Sequence, residues 1–408
     1  MRSGPSGRGG MSKPLAGVRV LELSRFLPGT YFGWIAGDMG ADVIRVEHPR
    51  ELAKAEAMFG ASADTTALCR DRARPTFTRN KRSIALNPGH PDARRVLEPL
   101  LASADVLVED FRPGTLARLG LGYDAAAEIN PRLVYASVSF AGQTGPLAHR
   151  AGHDPAALAA AGVLSRLNGQ PVPTLPGVQV ADVMAGAHAT IAILLALAAR
   201  GQTGRGAHVD IAMIDAAMPL LMVGLGRVDN PADLHAPDGA WHPKGGVWRC
   251  ADDAYLCTTD MEPRYWARFC VAIDRPDLTA RQFDLAAHPA IHAELTAVFA
   301  SRPRAAWLAL FEDADTQAMP VLSPVEALRH PNAIARGMHV ALEVPGAGTV
   351  EQIGTPFAIG GVTPGPHRAA PLPGADRDAI LAECGFGADD IARLAAGGVF
   401  ASTKGAGA

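Results

Sequence analysis

The chain has 408 residues, of which 48% are hydrophobic and 19% are charged, and its formal net charge at pH 7 is −3. This composition is typical of a globular protein, and the length predicts about two domains. The small net charge excludes a general attraction to nucleic acid or to anionic membranes, so an anionic ligand must be bound by local positive side chains. We therefore expect neither a nucleic-acid nor a membrane partner.

The N-terminus and the cysteines indicate where the protein acts. The first ten residues, MRSGPSGRGG, contain no apolar segment, so we predict a disordered tail over residues 1–13 rather than a signal peptide. The five cysteines are odd in number and form no CxxC pair, which predicts a reduced, cytoplasmic setting and no metal site. The longest apolar run, around Ile191 to Ala199, predicts a buried helix rather than a membrane span.

The first half of the chain alternates β-rich and helical segments. Val18 to Leu23 predicts a strand, Gly29 to Gly40 a helix and Asp42 to Glu47 a second strand, which together form a βαβ unit. The alternation continues with a helix over Asp92 to Ala104, strands over Val106 to Glu109 and Leu133 to Phe140, and a short helix from Thr115. This predicts an α/β fold with a large, Rossmann-like parallel-sheet domain. No GxGxxG follows the first strand, so we expect no dinucleotide cofactor.

The second half predicts a smaller α+β domain. Its first segment, VWRCADDAYLCTTD at Val247 to Asp260, has the pattern of a β-hairpin. Further predictions are helices over Pro263 to Ile273, Ile291 to Ala300 and Arg304 to Asp313, a β-meander over Met338 to Gly361, and helical spacing over Asp376 to Ala395. We place the domains at 14–223 (large α/β), 224–246 (linker), 247–337 (small) and 338–408 (a return segment that completes the large domain).

Three basic residues, Arg45, Lys81 and Arg112, stand in or just after the predicted strands. Ligands of open α/β sheets bind beyond the carboxyl ends of the strands, so these cations are candidates for binding phosphates. The alternative is that they are solvated surface charges. For Lys81, which has Arg79 and Arg82 beside it, the residues alone favour that alternative.

The segment from Arg150 to Gly186 places His153 and Asp182 each at a predicted helix start. An alanine-rich helix follows His153 over Ala156 to Leu164, with Gly152, Asp154 and Pro155 as its cap and first turn, and a second helix begins near Asp182. Because 29 positions separate these two residues, they can meet only across a cleft. Taken singly, Asp182 is more simply a helix cap and His153 a surface residue.

Seven motifs, in order, resemble the class III CoA-transferase (CaiB/BaiF-type) family. The motifs are PLAGVRVLEL (Pro14–Leu23), ADVIRVEHP (Ala41–Pro49), NKRSIAL (Asn80–Leu86), DVLVEDFRPG (Asp105–Gly114), GQTGP (Gly142–Pro146), AGHD (Ala151–Asp154) and TGRGAHVDIAM (Thr203–Met213). The resemblance extends from Pro14 to the C-terminus. Within the family, AGHD and the EP of MEPRYW are most similar to the α-methylacyl-CoA racemases, whereas ADVMAG around Asp182 resembles the general family pattern.

The resemblance implies an interlocked homodimer whose substrate is an acyl-CoA thioester. No cofactor is expected, because coenzyme A arrives as part of the substrate. The implied residues near CoA are Arg45, Arg79, Asn80, Lys81, Arg112, Gly152, Asp154 and Pro155, and the implied catalytic residues are His153, Asp182 and Glu262. Glu262, from the small domain, would orient His153.

Three functions remain open from the sequence. The first is racemisation of a 2-methyl-branched acyl-CoA, in which His153 and Asp182 exchange the α-proton on opposite faces and the backbone N–H at Asp154 stabilises the enolate. The second is transfer of CoA between carboxylic acids through a mixed anhydride at Asp182. The third is a non-catalytic acyl-CoA-binding protein. The sequence favours the racemase.

Overall fold

The computed structural model describes residues 12–49, 64–167, 173–226 and 245–400. The chain divides into a large unit, Met1–Arg227 with Arg336–Ala408, and a small unit, Val228–Ala335. The second boundary therefore falls two residues before the predicted one. Most of the predicted tail (1–11 of 1–13) and of the predicted linker (227–244 of 224–246) lies outside the described residues.

A six-stranded parallel sheet forms the centre of the large unit, in the order β3-β2-β1-β4-β5-β6. The strands are β1 (Arg19–Leu23), β2 (Asp42–Glu47), β3 (Lys81–Ala85), β4 (Val106–Glu109), β5 (Val134–Ser139) and β6 (His208–Ala212). From β1 the next two strands, β2 and β3, are added toward one edge of the sheet, whereas β4, β5 and β6 are added on the other side of β1, toward the opposite edge. The strand order therefore changes direction between β1 and β4. In open α/β sheets the crevice outside the carboxyl ends of the strands at such a point is where ligands bind.

Helices cover both faces of this sheet. They are α1 (Leu27–Asp38), α2 (Thr65–Ala73), α3 (Ala93–Ser103), α4 (Thr115–Arg118), α5 (Tyr123–Ile129), α6 (Asp154–Ala160), α7 (Val180–Thr203), α8 (Met213–Ala217) and α9 (Met222–Leu225). One apolar core joins β1, β4 and β5 to α1, α6, α7 and α8, and a second joins the opposite face to α3 and to the C-terminal helices. The predicted α/β fold is confirmed by these elements.

The helices α6 and α7 differ from their predictions in length and burial. α6 ends at Ala160 instead of Leu164, and Gly162 then takes a left-handed φ of 78°. α7 spans 24 residues, and by length and composition it is apolar enough to cross a membrane. Only one face, which includes Ala181, Ala185, Ala189 and Ile193, is buried in the large unit. The prediction of a buried helix is therefore wrong for its other face.

The small unit is built around aromatic side chains. A three-stranded antiparallel sheet, β7 (Gly246–Arg249), β8 (Tyr255–Thr258) and β9 (Ala318–Pro320), packs with helices. These are α10 (Pro263–Ala272), α11 (His288–Phe299), α12 (Arg304–Ala314), α13 (Pro324–Arg329) and α14 (Pro331–Ala335). Trp248, Trp266 and Trp307 are each at most 2% exposed and form the centre of this core.

The C-terminal segment returns to the large unit. It contains the antiparallel pair β10 (His339–Val344) and β11 (Gly348–Ile353), then α15 (Arg377–Glu383) and α16 (Ala388–Ala396). The predicted β-meander over 338–361 is wrong beyond Ile353, because residues 354–361, all of which the structure describes, form no further strand. The hairpin ends at Gly354, whose N–H still donates to the carbonyl of Met338, and Pro356, Gly360 and Gly361 in the segment that follows do not favour another strand.

Candidate active site

His153 lies at the start of α6, on the connection that follows β5. It is the N-cap residue, with extended backbone (φ −117°, ψ 178°), and its exposed side chain makes no capping hydrogen bond. Glycine is required immediately before it, because a Cβ at Gly152 would lie 2.2 Å from the ring of Phe140. The prediction that His153 stands at the positive end of a helix is confirmed.

Asp182 lies in the first turn of α7, and Asp154 joins the two helix starts. The backbone N–H of Asp182 donates to Oδ2 of Asp154 at 3.0 Å, and Asp154 itself is 4% exposed. A carboxylate that accepts an N–H at a helix start is favoured by the helix dipole. The buried side chain of Asp154 thus fixes the beginning of α7 beside the beginning of α6, and so brings Asp182 into the neighbourhood of His153.

The electrostatics of Asp182 reflect this arrangement. Burial, together with the negative charge of Asp154, raises the pKa of Asp182 to about 6, and the nearby His153 opposes the rise. Within the described part of the chain no hydrogen bond reaches the Asp182 carboxylate, which is half-buried. A carboxylate with these properties is ionised at neutral pH and more basic than an ordinary aspartate, which suits either a nucleophile or a base.

The turn after β1 connects this pair to the crevice of the sheet. The ring of Phe26, the N-cap residue of α1, meets the imidazole of His153 edge to face, with 5.6 Å between ring centroids. Asp110, which follows β4, accepts hydrogen bonds from the backbone N–H groups of Arg25 (2.7 Å) and Phe26 (2.8 Å). His153 therefore lies near the carboxyl ends of the neighbouring strands β1 and β4, where the strand order changes direction and ligands of open sheets bind.

The position of Asp110 is unfavourable for a dinucleotide. In dinucleotide-binding folds the pyrophosphate binds the free N–H groups at the start of the first helix. Here a buried carboxylate of the protein itself, that of Asp110, accepts the N–H groups of Arg25 and Phe26 immediately before the first helix, so a negative charge already lies beside that position.

Arg79, Asn80 and Lys81 have structural partners inside the large unit. Arg79 is fully buried, forms a two-point ion pair with Asp38 (2.9 and 2.6 Å), and donates to Gln352 and to the carbonyl of Ile353. Asn80, at φ 59°, donates to Asp38 and accepts the N–H groups of residues 367 and 368.

Lys81 is 1% exposed and donates to both oxygens of Glu22 at 2.9 and 2.6 Å. The interpretation of Lys81 as a solvated surface charge is therefore wrong. Because the polar atoms of Arg79, Asn80 and Lys81 are already engaged by protein groups, the structure gives all three a role in folding and does not support direct phosphate contact by them.

Arg45 and Arg112 differ from these residues. Arg45 lies 3.9 Å from both Glu22 and Glu47, and its buried Nε makes no hydrogen bond within the described residues. Lys81 and Arg72 donate to the same two carboxylates, of Glu22 and Glu47, and the charge of Arg45 also acts on the carboxylate of Asp110. Arg112 is exposed and lines a small cavity at the carboxyl ends of β4 and β5. These two arginines remain candidates for binding an anion.

Glu262 belongs to the small unit, where it is the exposed N-cap residue of α10 and accepts a hydrogen bond from Nε2 of Gln317 at 3.0 Å. Its predicted action on His153 of the large unit stays a prediction. The neighbouring Asp260, which the sequence does not single out, is 2% exposed, and its Oδ1 accepts the N–H of Gln317. The Thr-Thr-Asp ending of the hairpin was the only signal for it.

A comparison with protein families identifies the chain. The family model described as CoA-transferase family III matches residues 15–377. The chain belongs to CoA-transferase family III. An acyl-CoA transferase from Fusarium pseudograminearum is 32% identical over 94% of this chain and 88% of its own. The human succinyl-CoA:glutarate CoA-transferase is 29% identical over 91% and 86%.

Solved structures agree with this assignment. A CAIB/BAIF family protein from Brucella suis is 28% identical, with a TM-score of 0.76 over 92% of this chain and 100% of its own. The resemblance seen in the sequence is thus confirmed at the level of the family, and an enzyme of family III is the supported class. The fungal and human relatives are both named as transferases and neither as a racemase, so they favour the second of the three functions that the sequence left open.

Proposed function

We propose that this enzyme of CoA-transferase family III moves coenzyme A from an acyl-CoA thioester to a second carboxylic acid, with Asp182 as the nucleophile. The observation that carries the proposal is the half-buried Asp182 carboxylate, which accepts no hydrogen bond from the described residues and whose pKa is raised to about 6 at the start of α7. The names of its relatives, succinyl-CoA:glutarate and formyl-CoA:oxalate CoA-transferase among them, support the same reaction class.

The reaction needs two exchanges at Asp182. The carboxylate attacks the thioester carbonyl, the C–S bond breaks, and a mixed anhydride and CoA thiolate result. The thiolate then attacks the aspartyl carbonyl, which releases the first acid and leaves an aspartyl-CoA thioester. Attack by the second carboxylate and return of the thiolate to its acyl carbon complete the transfer and regenerate Asp182. No net proton transfer is required, so the chief demand is an ionised, poorly solvated carboxylate.

His153 supports Asp182 in this proposal without itself attacking the substrate. Its positive form lowers the pKa of Asp182, against burial and the charge of Asp154. At the start of α6, Pro155 has no N–H, and the N–H groups of Ala156 and Ala157 donate to the carbonyl of His153. The backbone N–H of Asp154 is therefore the one suited to developing negative charge on the thioester oxygen, which retains the predicted part of Gly152, Asp154 and Pro155 near the thioester.

For the phosphates of CoA we retain Arg45 and Arg112 from the predicted set. Arg45 has an Nε that makes no hydrogen bond with the described residues and lies 3.9 Å from Glu22, and Arg112 is exposed at the same end of the sheet. Guanidinium groups bind phosphate through two parallel N–H donors, which makes both suitable.

We further propose that the working form is a homodimer in the cytoplasm. Large apolar side chains on the second face of α7, including Ile191 (55% exposed) and Leu195 (65% exposed), need a protein cover, and Met222 on α9 adds to them at 69%. The interlocked arrangement of the two chains stays a prediction.

Racemisation remains the second candidate because His153 and Asp182 lie close together. The two reactions differ in what they leave behind. Transfer passes through an acylated aspartate, whereas racemisation exchanges the α-proton with solvent.

Trapping of the acyl-enzyme tests the proposal. The protein is incubated with succinyl-CoA, treated with hydroxylamine, digested and analysed by mass spectrometry. We expect a hydroxamate at Asp182, 15 Da heavier than the carboxyl form by exchange of OH for NHOH, and none in Asp182→Asn.

The rival reaction is tested in the same preparation with 2-methylacyl-CoA in deuterated water. Deuterium at the α-carbon, together with no hydroxamate for any acyl-CoA tried, would replace the proposal by the racemase. If the protein binds CoA saturably but forms neither the hydroxamate nor the deuterated acyl-CoA, the result would support the third function, a non-catalytic acyl-CoA-binding protein.

A further inference from the structure

The turn between β1 and α1, at Arg25 and Phe26, contacts two separate parts of the large unit. On one side it is held by Asp110, which follows β4, and on the other it contacts His153 at the start of α6. We propose that Asp110 is a positioning residue for the active site: its carboxylate fixes the Arg25–Phe26 turn, and the ring of Phe26 in turn holds the imidazole of His153 beside Asp182.

Asp110 holds the turn through hydrogen bonds to its backbone. One oxygen, Oδ2, accepts both backbone N–H groups, of Arg25 at 2.7 Å and of Phe26 at 2.8 Å. Oδ1 lies 3.7 Å from Nε of Arg25, and the Asp110 side chain is 6% exposed. Hydrogen bonds to a buried carboxylate are charge-assisted and stronger than those between neutral groups. The conformation of both residues is therefore determined from the neighbouring strand.

The second step is the orientation of Phe26. The guanidinium of Arg25 lies over the rings of Phe26 (5.1 Å) and Phe111 (5.3 Å), so Phe26 is held from its side chain as well as from its backbone. Phe26 nevertheless remains 48% exposed, which is unusual for a phenylalanine with so many partners. Its position is explained by the contact it makes rather than by burial.

The third step is the contact with His153. The two rings meet edge to face at 82°, the arrangement that aromatic pairs prefer, and such contacts contribute beyond the area they bury. The His153 side chain makes no capping bond on its own helix. Phe26 is thus the described group that fixes the ring plane of His153, and His153 in turn lowers the pKa of Asp182.

Because Asp110 is ionisable, its hold on the Arg25–Phe26 turn should depend on pH. Burial raises the pKa of Asp110 to about 6, and the N–H groups of Phe26 and Arg25 and the charges of Arg25 and Arg45 oppose the rise. The third ionisable neighbour is Glu109, whose pKa burial raises to about 7, with the charge of Asp110 contributing. Above pH 6 the carboxylate is ionised and holds the turn; as pH falls through 6 the grip weakens.

The role of His153 and Asp182 in this inference rests on the proposed function, but the positioning itself is measured without it. Protein labelled with 13C-histidine and 15N-phenylalanine is compared by NMR in wild type, Asp110→Asn, Asp110→Ala and Phe26→Leu, with His153→Gln to assign the ring. Asp210→Asn is the matched control, because Asp210 also accepts a loop N–H, that of Gln143, at the same end of the sheet.

We expect the ring-proton resonances of His153 to move in the same direction in Asp110→Ala and Phe26→Leu and to stay in place in Asp210→Asn. In wild type the chemical shift of the Phe26 amide should change with pH, with a midpoint near 6. This transition should be absent in Asp110→Asn. In the transfer assay at pH 6, kcat/KM should fall about 2- to 10-fold in Phe26→Leu, the range for loss of one edge-to-face contact. Combining it with Asp110→Asn should be less than additive.

Unchanged His153 resonances in folded Asp110→Ala, in which the ring of Phe26 is still present, would overturn the inference, whatever happens to activity. If those resonances move but no variant transfers CoA, the positioning stands and the proposed function fails.

Discussion

Two clusters of charged residues in the large unit show how differently the same side chains are used. Around β3, Lys81 and Arg79 are paired with Glu22 and Asp38, and all four are at most 1% exposed. At the helix starts, Asp182 and His153 are partly open, and the Asp182 side chain accepts no hydrogen bond among the described residues. The first cluster is closed by its own partners, while the second has bonding capacity left for a ligand.

The paired and the unpaired arrangement have different energetic consequences. A buried ion pair is stable only when both members are present, because either charge alone is poorly solvated. An unpaired, half-buried carboxylate has its pKa raised instead, as for Asp182. Substitutions in the closed cluster should therefore reduce stability, and those in the open cluster should reduce activity with little loss of stability.

The largest effect is expected from Asp182→Asn. The amide keeps the shape of the side chain but is not a nucleophile, so the rate of CoA transfer should fall by ~10³-fold or more, with the melting temperature nearly unchanged. Transfer is followed by chromatography of acyl-CoA products. Asp215→Asn is the control, since Asp215 occupies the same first-turn position on α8 but is exposed. Equal losses in both variants would contradict the proposal for Asp182.

Lys81→Met should produce the next largest effect, and on stability. It leaves Glu22 buried without its ammonium partner, which costs on the order of 3 kcal/mol in the free energy of unfolding of the large unit. Denaturant unfolding followed by circular dichroism measures the loss. The comparison variant is Arg94→Met, which breaks an exposed i,i+4 pair with Glu98 and should cost less than about 0.5 kcal/mol. A loss for Lys81→Met as small as that would show that the pair is not needed.

The two clusters also differ in how far the sequence revealed them. Strand and helix periodicity predicted four of the six strands of the parallel sheet, β1, β2, β4 and β5, to within one residue at each end, and placed His153 and Asp182 each at a helix start. Pairing is different, because it depends on contacts between distant segments. The sequence around Lys81 does not indicate that its partner is Glu22, 59 positions away. The sequence around Arg79 likewise does not indicate that it donates to Gln352 in the return segment.

The same limit applies to Asp110. Its place after a strand was visible in EDFRPG, but its partners Arg25 and Phe26 lie 84 or more positions earlier. The named relatives do not support the preference for a racemase, and the reason is related. The motif AGHD shows that a histidine is present but not which reaction its neighbours support, and the named relatives favour transfer.

A smaller effect is expected from pH. Since Asp182 must be ionised to attack, kcat/KM should rise with pH through about 6 and then level off, and the value at pH 5 should be roughly a tenth of that at pH 7. Initial rates in buffers of constant ionic strength provide the profile. A profile that is flat from pH 5 to 7 would mean that Asp182 is not the group that must be ionised.

The smallest effect should come from His153→Gln, and it separates the two candidate reactions. For transfer, the variant removes a charge that lowers the pKa of Asp182, so the acidic limb moves to higher pH by less than about one unit, while activity well above pH 7 is largely kept. For racemisation His153 is one of two required bases, and its loss abolishes exchange at every pH. The full pH profile of the variant therefore shows whether the open cluster contains one reacting group with a supporting charge or a pair of reacting groups.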